Sequence, residues 1–194
     1  MLLQEKWAGY KIILASQSPR RQELLEGLGM QFTTEIIDVD EVFPDSLDKD
    51  EIPVFLAELK AQPFKKAIDE KTLVITADTI VWVDGEVMGK PLDYEHAFDM
   101  LMKLSGRVHK VITGVCLTTK EKQRSFFVET SVWFKPLASD EIDYYLKNYK
   151  PYDKAGAYGI QEWIGYVGIS RIEGSYFNVV GMPVHRLCEE LSKM

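Results

Sequence analysis

The stretch from Ile12 to Leu25, I-I-L-A-S-Q-S-P-R-R-Q-E-L-L, holds the first residues whose types and spacing could do chemistry. Ile12, Ile13 and Leu14 suit a short buried strand, while Ser18 and Pro19 suit the N-cap and first position of a helix. The backbone N–H groups at that helix start point back toward Ser16 and Ser18, and Arg20 and Arg21 add two permanent charges. The arrangement can cradle an anion, phosphate above all. An ordinary capped turn with two solvated arginines fits the same residues equally well.

A second candidate is Asp78, in the middle of Leu73 to Val83, L-V-I-T-A-D-T-I-V-W-V, the most β-prone run of the chain. A carboxylate inside such an apolar run needs a partner or a purpose, unless it faces solvent from a one-sided strand or marks a bulge. Asp84-Gly85 predicts a two-residue hairpin, and its return through Glu86 to Met88 ends at Gly89-Lys90-Pro91. Lys90 is thereby carried back toward the part of the sheet that holds Asp78.

The elements around these residues follow from periodicity and punctuation. Phe32 to Ile37 predicts a strand leading to the acidic turn Asp38, Val39, Asp40, Glu41. Val54, Phe55, Leu56, Leu59, Ala61 and Phe64 repeat at helical period, and Pro63 predicts a kink or break just after Lys60. Asp93 caps a helix with the stripe Ala97, Met100, Leu101 and Leu104, ended by Gly106. His96 and His109 have no Cys or His at ligand spacing, so neither receives a role in chemistry. Lys110 to Leu117 and Arg124 to Phe134 read as a pair of antiparallel strands, and Ser139 as the cap of a helix through Asn148. Tyr152 to Ile160, Y-D-K-A-G-A-Y-G-I, is rich in small residues that allow close backbone approach, with Gln161 directly after it. Pro183 opens a closing helix through Leu191. Helices alternate with strands while hairpins recur, so the expected fold is α/β with a mixed sheet.

Composition narrows the function classes. With 194 residues, 46% of them hydrophobic, the chain can bury a sizeable core and is expected to form one domain over 1–194. A formal charge of −7 argues against a general nucleic-acid binder, and an anionic ligand would need a local basic cluster, with a metal ion to assist. Cys116 and Cys188 lie in apolar surroundings without ligand spacing, so both read as small buried hydrophobes of a reducing compartment. The N-terminal ten residues are too polar for a signal peptide or membrane span, which places the protein in the cytoplasm.

Several blocks together carry a family resemblance: Leu14-Ala15-Ser16 with Ser18-Pro19-Arg20-Arg21, Asp40-Glu41, Lys60-Ala61, Ala77-Asp78-Thr79, Gly89-Lys90-Pro91, Leu104-Ser105-Gly106, Asp153-Lys154-Ala155-Gly156-Ala157-Tyr158, and Asn178-Val179-Val180-Gly181. In these blocks, over nearly its whole length, the chain resembles the Maf nucleoside triphosphate pyrophosphatases, first described as septum-formation inhibitors. The resemblance implies an elongated, two-lobed mixed sheet with flanking helices and a nucleotide cleft between the lobes. It implies cleavage between the α and β phosphates, giving a nucleoside monophosphate and pyrophosphate. It also implies that Asp78 is the catalytic base, and that Arg20, Thr79 and Gln161 mark the branch acting on dTTP and UTP.

The residue chemistry is compatible with that reaction. Hydrolysis of a phosphoanhydride needs activated water, neutralised phosphate charge and a stabilised leaving group. Ser16, Arg20 and Arg21 can hold phosphates, Lys60 and Lys90 can neutralise charge on pyrophosphate, and Asp78 can orient or deprotonate water. Glu41 can join Asp78 in holding a divalent cation, Mg²⁺ or Mn²⁺, with phosphate oxygens and water completing the shell. The expected partner is a small nucleotide, with no nucleic acid and no membrane; a homodimer is compatible. Two other readings stand beside this one: cleavage of 7-methyl-GTP, as in a sister branch, and a nucleotide sensor of cell division acting through a protein partner. Asp78 separates the last, because a sensor has no use for an acid beside phosphates.

Overall fold

The computed structural model describes residues 2–66 and 68–194. In chain order, helix α1 (Leu3–Lys6) precedes strand β1 (Lys11–Leu14), whose Ile12, Ile13 and Leu14 are buried as their apolar run requires. Helix α2 (Pro19–Gly27) begins at Pro19 with Ser18 as its N-cap, and a two-residue strand β2 (Thr33–Thr34) follows. The strand expected over 32–37 shrinks to those two threonines, which pair in parallel with Ile13 and Leu14; Ile36 and Ile37 are half exposed and join no ladder. Helix α3 (Glu51–Ala61) then passes into a tight 3₁₀ turn over Gln62–Lys66. Pro63 is accommodated by that turn: the chain stays helical through Lys60 and Ala61, and the Gln62 N–H reaches back to the Leu59 carbonyl.

Strand β3 (Thr72–Val83) joins β4 (Glu86–Met88) through Asp84 and Gly85, with φ of 51° and 86°. Left-handed backbone at both positions is what the predicted hairpin turn demands. Helix α4 (Tyr94–Leu104) is capped by Asp93, whose carboxylate accepts the His96 N–H at 2.8 Å. Strands β5 (Val108–Thr118) and β6 (Gln123–Phe134) follow, then helix α5 (Ser139–Tyr149). Ser139 is the first helical residue rather than the cap; Ala138 takes that place and its N–H is accepted by Glu141 at 3.0 Å. A 3₁₀ turn at Ala155–Ala157 leads to helix α6 (Trp163–Gly168), strand β7 (Ile169–Glu173), helix α7 (Tyr176–Val180) and helix α8 (Val184–Lys193).

The seven strands form one mixed sheet in the order β2-β1-β3-β5-β6-β7, with β4 on the end of β3. β1 pairs in parallel with β2 and β3, whereas β3 with β4 and β6 with β7 are antiparallel. This is the mixed α/β architecture with flanking helices that the sequence implies.

The chain falls into two compact units. The first comprises residues 1–78, 113–128 and 181–194, and its core gathers Leu14, Leu25, Leu73, Ile75, Val115, Leu187 and Leu191. The second comprises residues 79–112 and 129–180, with a core around Leu101, Leu104, Val132, Phe134, Tyr145, Leu146 and Ile164. Cys116 is buried in the first unit against Ala57 and Ala61, while Cys188, expected inside, is only partly covered because it lies on the flank of α8. Among the described residues no helix is long and apolar enough to cross a membrane.

Candidate functional site

Each unit carries its own group of candidate residues. In the first, the turn after β1 is held by Ser16, 8% exposed, whose Oγ accepts the Ser18 N–H at 3.2 Å and an Arg21 N–H at 3.3 Å. Ser18 makes no side-chain cap bond of its own. Arg21 is used as a brace. Its Nε donates to the Gly181 carbonyl at 2.9 Å, and its Nη1 to the Ala77 carbonyl at 2.8 Å, immediately before Asp78. Burial lowers the Arg21 pKa, an effect the charge of Asp78 opposes and that of Arg20 adds to. Arg20 lies partly buried in the first turn of the same helix.

Asp78 answers the question its position raises, since it does have a partner. Lys60 Nζ lies 2.5 Å from Asp78 Oδ1 and 3.1 Å from Glu41 Oε2. The lysine and the aspartate are 18% and 13% exposed at their side chains, whereas Glu41 is half exposed. The helix that carries Lys60 is fixed by close packing within the same unit. Thr76 Oγ1 donates to the Ala57 carbonyl at 2.6 Å, tying α3 to β3 two residues before Asp78. Gly114 is required where α3 begins, because a Cβ there would lie 2.3 Å from the Pro53 carbonyl group. Ala57 and Ala61, both fully buried, let the helix settle against Cys116. The result is an alternation of charge, carboxylate, ammonium, carboxylate, beside the guanidinium of Arg21.

Glu41 and Asp78 therefore converge on a single cationic atom, which is the test of whether they suit a metal. They do suit one cation between them, although that place is taken by the Lys60 ammonium; among the described residues no group of three or more His, Cys, Asp or Glu is placed to hold a metal ion. The pair can supply one or two carboxylate ligands, as Mg²⁺ bound with a nucleotide requires, and no complete protein cage.

In the second unit, Thr79 follows Asp78 in β3 and is partly buried. The β3–β4 register pairs Val81 with Met88, and Lys90 lies two residues beyond the end of β4. Lys90 itself is exposed. The neighbouring Gly89 carbonyl accepts the Gly156 N–H at 3.0 Å, which ties the Gly89-Lys90-Pro91 block to the small-residue run. Gly156 has φ 68°, and a Cβ on it would stand 2.9 Å from Val81 Cγ2. Gln161 ends that run with its Oε1 buried and without a hydrogen-bond partner.

Sequence reasoning gave no role at the site to Lys154, Glu162 or Tyr145. Lys154 Nζ contacts Asp153 at 2.8 Å and Glu162 Oε1 at 3.0 Å; the other Glu162 oxygen accepts the hydroxyl of Tyr145. Lys154 was visible within a motif block, but its link to Tyr145 depends on helix packing that no local signal encodes. Likewise His109 proves to be buried and bonded to the Tyr158 hydroxyl at 2.7 Å, with burial lowering its pKa to about 4. Asn178, from the last motif block, is structural: its Nδ2 donates to the Val111 carbonyl and to Thr130 Oγ1, each at 3.0 Å.

Comparison with known proteins adds the following. Residues 11–194 match the Maf family, described as Maf-like protein. The chain is 56% identical over 186 residues to the dTTP/UTP pyrophosphatase of Phocaeicola vulgatus, covering 95% of this chain and 96% of the relative. It is 55% identical over 183 residues to the dTTP/UTP pyrophosphatase of Parabacteroides distasonis, covering 94% and 95%, and 53% identical over 186 residues to that of Bacteroides fragilis, covering 95% and 96%. Among solved structures, the Ham1 protein of Staphylococcus aureus matches with a TM-score of 0.52 at 16% identity, covering 94% of this chain and 98% of that one. That likeness is one of fold.

Proposed function

The chain belongs to the Maf family, and on that premise we propose that it hydrolyses dTTP, UTP and related pyrimidine nucleoside triphosphates between the α and β phosphates. The observation that carries the proposal is the Glu41–Lys60–Asp78 alternation, an acid and a base held ready beside a basic helix start. Asp78 is the general base: Lys60 engages Oδ1, and the second carboxylate oxygen takes the proton of the attacking water. Arg20, Ser16 and the N-terminus of α2 hold phosphate oxygens, with the charge of Arg21 behind them. Lys60 and Lys90 neutralise charge on the departing pyrophosphate. A divalent cation entering with the nucleotide would be held by Glu41 and Asp78, and would offset phosphate charge.

Base choice rests on Thr79 and Gln161. The unpaired Gln161 Oε1 calls for a hydrogen-bond donor, and thymine and uracil present N3–H. The names of the relatives favour this pyrimidine reading over 7-methyl-GTP and over a sensor without turnover. The deciding assay incubates the purified protein with a panel of nucleoside triphosphates and Mg²⁺ or Mn²⁺, and detects pyrophosphate against orthophosphate. Pyrophosphate released fastest from dTTP and UTP is expected. Orthophosphate as the direct product would defeat α–β cleavage, while equal rates on dTTP, dCTP and GTP would defeat the base assignment alone.

A further inference from the structure

The loop over residues 153–162 is held in a conformation its own sequence does not favour. Gly156 and Ala157 have φ of 68° and 59°, consecutive left-handed positions, and the second is occupied by an alanine that is fully buried. A non-glycine residue keeps such a conformation only where its surroundings over-determine it. The surroundings here are a chain of polar groups within the second unit. The Tyr145 hydroxyl, on α5, donates to Glu162 Oε2 and accepts the Gly159 N–H at 3.0 Å. Glu162 Oε1 meets the Lys154 ammonium at 3.0 Å, and Lys154 in turn holds Asp153 at 2.8 Å. Gly159 leaves no slack between them: a Cβ on it would lie 2.8 Å from Glu162 Cδ and 3.1 Å from Lys154 Cε. On the far side, a Cβ on Gly165 would lie 1.8 Å from the Ile160 carbonyl oxygen.

Gln161 sits inside this assembly, between buried Ile160 and locked Glu162, and its Oε1 is buried with no partner in the loop. The chain fixes both of its neighbours and leaves its own acceptor unsatisfied. An amide can rotate to exchange donor for acceptor, so it discriminates between bases only if the side chain is held at one place against the base.

We propose that Tyr145, Glu162 and Lys154 are positioning residues for base selectivity, which clamp the loop so that the Gln161 side chain is held at one place against the nucleobase. The proposal rests on the reading that Gln161 meets the base. None of the three touches the reacting phosphates. Their loss therefore falls on the discrimination between dTTP and dCTP, with the dTTP defect seen in KM more than in kcat.

The test uses the full chain and measures kcat/KM for dTTP, UTP and dCTP in wild type, Tyr145→Phe, Glu162→Gln, Lys154→Met and Lys154→Arg, with thermal unfolding alongside. Tyr145→Phe, Glu162→Gln and Lys154→Met are expected to cut the dTTP-to-dCTP ratio by roughly tenfold or more, as loss of a fixed hydrogen-bonding geometry allows. Lys154→Arg keeps the cation between Asp153 and Glu162, and is expected to keep most of the ratio. If wild type itself shows no preference for dTTP, the base reading fails. If wild type is selective and the folded variants either stay within about twofold of its ratio or lose kcat/KM equally on all three nucleotides, the clamp is merely structural and the inference is overturned. Should Tyr145→Phe fail to fold, the Lys154→Met and Lys154→Arg pair decides the matter, because both keep the α5 core intact.

Discussion

Lys60 Nζ stands 2.5 Å from Asp78 Oδ1, across a sequence separation of eighteen residues, and also reaches Glu41 at 3.1 Å. One ammonium thus holds two carboxylates that would otherwise repel each other and any phosphate brought near them. Lys60→Ala is expected to reduce nucleotide affinity by roughly tenfold or more, since the two anions would be left facing the triphosphate. Raising the Mg²⁺ concentration should recover part of that loss, because a divalent cation can take the vacated place. Steady-state kinetics at several Mg²⁺ concentrations measure both effects, and wild-type kinetics in the variant would remove Lys60 from the site.

Asp78→Asn keeps the shape of the side chain and its place in β3 but loses charge and basicity. Turnover is expected to fall by about 10²- to 10⁴-fold with nucleotide binding largely retained, as a positioned general base contributes. Calorimetric binding beside pyrophosphate release separates the two. A variant retaining more than about a tenth of wild-type turnover would show that another group accepts the proton.

Arg20 and Arg21 are adjacent in sequence and are expected to fail differently. Arg21 bonds the Ala77 and Gly181 carbonyls, so Arg21→Met leaves partly buried acceptors unpaired and should lower stability by about 2 kcal/mol. Arg20→Met is expected to raise KM through the lost phosphate contact. An Arg21→Met protein as stable as the wild type would contradict the assignment of Arg21 as the brace.

His109 provides a pH prediction. Burial holds its folded pKa at about 4, below the ordinary 6.5, so between those values the unfolded chain binds a proton that the folded chain refuses. Its contribution to stability is complete above pH 6.5 and is lost as pH falls toward 4, by at most about 3 kcal/mol. The double variant His109→Phe with Tyr158→Phe removes both hydrogen-bond partners and should flatten that part of the pH dependence. Urea midpoints between pH 7.5 and 4.5 test this. An unchanged slope would assign the pH dependence to other groups.

Much of the fold was legible because its signals are local. Proline at the start of α2, Asp84-Gly85 between β3 and β4, Asp93 before α4 and Gly106 after it each act through the backbone of their immediate neighbours. The same holds for the helix start that presents Arg20, and for the oddity of a carboxylate in the apolar run of β3. Where signals were weaker, the chain departed from them. The 32–37 segment has strand composition but pairs only at Thr33 and Thr34, and the proline expected to disturb Lys60 is absorbed by a 3₁₀ turn one residue later.

By itself the sequence determined which residues could act on a phosphate and on which elements each would stand: Asp78 in a buried strand, Lys60 on a helix, Glu41 in an acidic turn, Gln161 after a run of small residues. It did not determine that Lys60 would lie between Glu41 and Asp78. That was decided by tertiary packing, through the missing Cβ of Gly114 against Pro53, the small side chains of Ala57 and Ala61, and the Thr76 hydroxyl on the Ala57 carbonyl. Nor could it show that Arg21 would brace the scaffold, because that depends on the arrival of the Ala77 and Gly181 carbonyls from segments distant in the chain. Residue type and spacing fix local conformation over a turn or a strand, whereas these pairings join segments far apart in the chain and depend on shape complementarity that no short stretch contains.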